Sequence, residues 1–143
     1  MLKIDFYGNR KRTVKFKINK NRIFECEMTL TELDDTDLVD IKFIIDNQNF
    51  HFTNHDYFST LVEVRRKLET MNIQIYCNGA ARNIYPSNMQ RSMGTGRTAY
   101  QLYLGEQAKS KDIVDIFDCD NHLEFVTVDE QEKFYRDWIS SLT

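Results

Sequence analysis

Proline occurs once and glycine five times among the 143 residues, which leaves little material for long irregular linkers. Cysteine is equally sparse. Cys26, Cys77 and Cys119 stand far apart, and no CxxC is present, the usage of a reduced protein and not of a disulfide scaffold. No apolar run approaches the length of a membrane span. The first residues, Met1 to Asp5, carry a charge at every second position where a secretory leader would be apolar. The expected location is therefore the cytoplasm. A dominant charge of one sign is also missing. The formal net charge is -3 and the pI about 5.6, so there is no overall basic field for nucleic acid.

Aromatics are abundant. Ten Phe and seven Tyr contribute to a 13% aromatic content, a supply for a packed core that argues against disorder. A chain of this length folds as one domain, residues 1–143, without metal or disulfide support. Charge alternates in blocks: residues 1–22 are basic, 23–46 acidic, 63–97 net basic and 98–130 acidic again.

Alternation at a period of two marks the first half as strands. Leu2, Ile4 and Phe6 form one apolar face, Val14, Phe16 and Ile18 a second, and Phe24, Cys26 and Met28 a third. Polar turns are expected at Gly8–Arg12 and at Asn19-Lys20-Asn21. Lys15 and Lys17 then share a wet face with Glu25 and Glu27, so part of the charge segregation is cross-strand pairing. The acidic stretch Glu32 to Asp37 reads as a loop. A fourth strand follows at Val39–Ile45, and a turn at Asn47-Gln48-Asn49 leads to a short fifth at Phe50 and Phe52.

Tyr57, Leu61, Val64 and Leu68 fall on one helical face, with Asn54 as the expected N-cap. Ile73–Cys77 reads as a strand, and 78–97 as the longest irregular segment, with a short helix at Ser87–Met93. Tyr100–Leu104 and Leu123–Val128 read as strands, whereas Asp112–Asp118 fits either a strand or one helical turn. A last helix begins near Asp129, with Thr127 and Glu130 spaced as a capping box. The expected class is α+β: a mainly antiparallel sheet with two principal helices, about 56–70 and 129–142.

Motifs for chemistry are thin. Gly94-Thr95-Gly96 lacks the third glycine of a dinucleotide loop and precedes a strand, so no helix N-terminus is offered to a phosphate. His51 with His55, and Cys119 with His122, are loosely spaced for zinc. Cys77 ends a strand beside Asn78-Gly79, the one position suited to a thiol enzyme, although its apolar-face register also suits a core cysteine. A nucleic-acid module would draw on Lys15, Lys17, Arg82, Arg91 and Arg97. No cofactor or metal is expected, and binding of another protein fits the composition best.

Within residues 73–118, the runs Asn78-Gly79, Tyr85-Pro86-Ser87-Asn88-Met89, Met93 to Tyr100 and Asp112 to Asp118 resemble immunity proteins of bacterial contact-dependent growth inhibition and related polymorphic-toxin systems. The resemblance covers about a third of the chain and includes no catalytic motif. It implies a non-enzymatic cytoplasmic protein that binds and neutralises a cognate toxin domain, often a nuclease with a basic cleft. The contact residues expected on that reading are Asp34, Asp35, Asp37, Asp112, Asp115, Asp118 and Asp120, with Arg82, Tyr85, Met89 and Arg91 from the 78–97 segment.

Overall fold

A computed structural model describes residues 3–4, 10–19 and 21–143, the first two by backbone alone. The element order runs β1 (Lys3–Ile4), β2 (Arg10–Ile18), β3 (Arg22–Glu32), β4 (Val39–Ile45), β5 (Gln48–Asn54), α1 (Tyr57–Glu69), β6 (Ile73–Tyr76), β7 (Ile84–Tyr85), α2 (Asn88–Met93), β8 (Thr98–Gln101), β9 (Ile113–Asp115) and α3 (Val128–Ser141). The fold is α+β. Among the described residues no helix is long and apolar enough to cross a membrane.

Strands β2 to β5 form an antiparallel meander, and β1 and β6 share the remaining edge of β2. β1 pairs with Arg10 and Lys11, and β6 with Lys15 to Ile18. The alternation dictates the register. Phe16 faces Phe24 and Val14 faces Cys26 on the inner side, which sets Lys15 opposite Glu25 on the wet side. Residues Arg10–Arg12 extend β2 and are not the expected turn. The expected strand through Leu2 and Phe6 lies mostly outside the described residues. β3 runs to Glu32, so the acidic turn begins only at Leu33.

α1 lies against the inner face of the sheet and buries Tyr57, Phe58, Leu61, Val64 and Leu68 completely. Each such side chain contributes about 1.5–3 kcal/mol. The helix is capped by Asp56, whose carboxylate accepts from Ser59 N at 2.8 Å, and not by Asn54. Asn54 is instead the last residue of β5, and its side-chain oxygen accepts from His55 N at 2.7 Å. Inside the sheet, Phe16, Phe24, Phe43, Phe50 and Phe52 pack as edge-on and stacked rings.

The 78–97 segment is ordered and largely internal. Asn78–Ala80 form a 3-10 turn, and Asn78 to Ala81 and Ile84 are buried. A Cβ on Gly79 would stand 2.6 Å from Leu61 Cδ2, so only glycine permits this approach. Buried irregular backbone needs partners, and two buried side chains supply them. Gln131 Nε2 donates towards the carbonyls of Gly79, Ala81 and Ile84, each at 2.9 Å. Arg65 donates to Val126 O at 2.9 Å, to Gly79 O at 3.2 Å, and to Gln131 Oε1.

β7, β8 and β9 make a second, three-stranded antiparallel sheet. The ambiguous run 112–118 contains both alternatives, a 3-10 turn at Ser110–Asp112 followed by β9. The expected strand at Leu123–Val128 is absent. That segment makes a single bridge, Ala81 with Phe125, because its inward groups are taken by Arg65 and Ala80. α3 starts on the expected capping box of Thr127 and Glu130.

Candidate protein-binding cleft

The turn between β3 and β4 and the short helix α2 meet across a cleft of about 520 Å³. Glu32, Thr36, Asp37 and Leu38 line one wall, Arg91, Ser92, Met93 and Thr95 the other, with His55 and Asp56 between. The turn is closed by Leu33 N to Leu38 O at 3.0 Å. On the other side, Ser87 and Gln90 cap α2 reciprocally. The segment after the helix is anchored to α1 by Tyr57 N donating to Thr95 O at 2.7 Å, and Gly96 N donates back to Gln90 O of α2 at 2.9 Å. Gly96 has φ +75°, and a Cβ there would lie 2.8 Å from Asp56 Oδ1. The glycine pair therefore closes a helix against a cap and does not cradle a phosphate.

The fold divides the expected contact residues into two groups. Asp34, Asp35 and Asp37 are exposed and make no ion pair among the described residues. Met89 is 72% exposed on α2, and Met93, 82% exposed, lines the cleft. Arg91 faces the same cleft. Its guanidinium lies over the rings of Phe58 and Tyr85, at 5.0 and 5.3 Å, and Tyr85 stacks on Tyr135 at 3.8 Å.

Of the other residues, all but Asp112 have side chains engaged internally. Asp115 accepts from Arg12 at 3.1 Å, from Arg97 at 3.4 Å and from Phe117 N at 2.8 Å. Asp118 also pairs with Arg12. Asp120 accepts from Asn78 Nδ2 at 3.1 Å. Asp112 closes the 3-10 turn and is partly buried. Arg82 pairs with Glu124 at 2.9 Å and Glu130 at 3.7 Å.

Glu32, His55, Ser92 and Thr95 belong to the cleft and are not among the residues expected from the sequence. Charge marked the turn but not its neighbours. Only the pairing of β4 with β5, which sets Val39 beside Asn54, brings His55 to it.

The groups suited to chemistry occupy other surroundings. Cys77 is fully buried, and burial pushes its thiol up to about 12, with Arg65 pulling weakly the other way. A thiol so placed is protonated at neutral pH and closed to substrate. His51 donates to or pairs with Asp40 at 2.9 Å. Among the described residues no group of three or more His, Cys, Asp or Glu side chains is placed to hold a metal ion. Of the basic residues, Lys15 faces Glu25, Lys17 lies over the Tyr76 ring, and Arg97 pairs with Asp115.

No protein-family model matches the chain, and no curated protein matches it.

Proposed function

We propose that this chain is an immunity-type protein that binds a toxin domain, in our reading a nuclease, and neutralises it by protein–protein contact. The observation that carries the reading is the juxtaposition at the cleft. Asp37 lines the cleft opposite Met93, and the turn that carries it also exposes Asp34 and Asp35, all three without an ion pair among the described residues, while the helix across the cleft exposes Met89 as well. Free acids on a rim accelerate encounter with a basic surface and orient it. Exposed methionines and a stacked arginine are side chains that interface cores favour. The basic cleft of a nuclease is the complementary surface. The resemblance over residues 73–118 supports the same reading.

Capture with tagged protein at moderate salt tests it. The expected result is one stoichiometric protein with a basic toxin domain, whose nuclease activity falls to the background at one equivalent of this chain. Retention of RNA alone, or a captured nuclease whose activity is unchanged, would overturn the proposal.

A further inference from the structure

Arg91 stands apart from most arginines of the chain. Arg10, Arg12, Arg66, Arg82 and Arg97 each pair with a carboxylate. Arg91 has no ion pair among the described residues, although Glu32, Asp37 and Asp56 line the same cleft. Its Nε is buried and has no hydrogen-bond partner. Its guanidinium rests on the Phe58 and Tyr85 rings, and Tyr85 is itself held by Tyr135.

Stacking occupies the face of a guanidinium and leaves its edge, where the N–H groups point, available to an acceptor. The side chain is thus held in one orientation before any ligand arrives, which lowers the ordering cost of binding. The planar fork matches a carboxylate through two parallel hydrogen bonds. A phosphate chain fits poorly, because Glu32, Asp37 and Asp56 in the same cleft repel a polyanion more strongly than a single carboxylate accompanied by a base.

We infer that Arg91 is a carboxylate receptor, and that the cleft takes a segment of a partner protein carrying an acidic side chain next to a basic one. The acid meets Arg91 and the base meets Asp37. The toxin-binding reading supplies the partner for this inference and predicts its basic half. The acidic half comes from Arg91 alone.

The test follows the backbone amide resonances of Ser92 and Thr95, which line the cleft and survive every Arg91 substitution, by NMR while the tripeptide Ac-Asp-Gly-Lys-NH2 is added. A saturable shift is expected. Binding should weaken about tenfold with Ac-Asn-Gly-Lys-NH2 as the probe, and equally with the original probe in Arg91→Gln. Arg91→Lys, which keeps the charge without the planar fork, should not restore it. Equal binding of the two tripeptides, full binding by Arg91→Lys with unchanged melting temperature, or tighter binding of inorganic phosphate would overturn the inference. The titration needs no toxin, so an empty capture experiment sinks the toxin reading and leaves this one standing. A captured partner held equally well by Arg91→Lys sinks this inference alone.

Discussion

The turn at 33–38 and the segment at 112–120 each carry a run of aspartates, yet the fold uses them in opposite ways. The first run projects from the connection between two strands into solvent; Arg10 of the neighbouring β2 pairs with Glu32 at its base, and its aspartates make no ion pair among the described residues. The second returns across the inner edge of β2, where Arg12 meets Asp115 and Asp118, and over the 3-10 turn, where Asn78 meets Asp120. Asn78 N donates to Asp118 O at 2.7 Å and Asp120 N to Asn78 Oδ1 at 2.8 Å, so this segment also covers Cys77. An acidic run is therefore a docking feature only where the chain leaves it without an internal cation.

The sharpest way to break the contrast is Asp115→Ala. It takes the carboxylate acceptor away from Arg12, Arg97 and the backbone N–H of Phe117 in a partly buried site, and should lower stability by about 2–3 kcal/mol, read from the urea midpoint. Alkylation of Cys77, slow in the parent, should become faster as its cover loosens.

Gly96→Ala tests the other wall. A side chain at φ +75° against Asp56 should cost about 1–2 kcal/mol and displace α2, with calorimetry measuring the loss.

A smaller effect comes from pH. The buried Cys77 thiol ionises near 12, against an ordinary value of 9.0 when unfolded. Its contribution is fully present below pH 9 and declines as pH rises towards 12, by at most about 1.4 kcal/mol per unit. Urea midpoints between pH 8 and 10.5 should fall less steeply in Cys77→Ala than in the parent.

The smallest change in stability should come from the combined substitution Asp34→Lys, Asp35→Lys and Asp37→Lys, within about 0.5 kcal/mol. Association with the captured partner should nonetheless slow about tenfold at low salt and lose most of its salt dependence.

Much of the fold was legible because local pattern and tertiary packing agree. β4 follows its alternation from Val39 to Ile45, α1 its apolar face, and α3 its capping box. The errors fall where a distant group decides. Leu123–Val128 has strand composition, but Arg65 takes the Val126 carbonyl, and Ala80 accepts from its N–H. Residues 78–86 look like a free loop because Gln131, some 50 positions later, satisfies their carbonyls. The cleft was half legible. Charge pointed to the turn that carries Asp37, which lines the cleft, whereas the stacking of Arg91 on Phe58 depends on a contact between two helices that no spacing encodes.

The arginine inside the core also sets an order of assembly. Arg65 is 1% exposed and makes no ion pair among the described residues. Its acceptors come from Gly79, Val126 and Gln131. An uncompensated guanidinium resists burial by several kcal/mol. Without Val126 and Gln131 in place, α1 can dock on the sheet only with this group turned to water. Closure of the core around Arg65 thus depends on α3 and on the segment that leads into it.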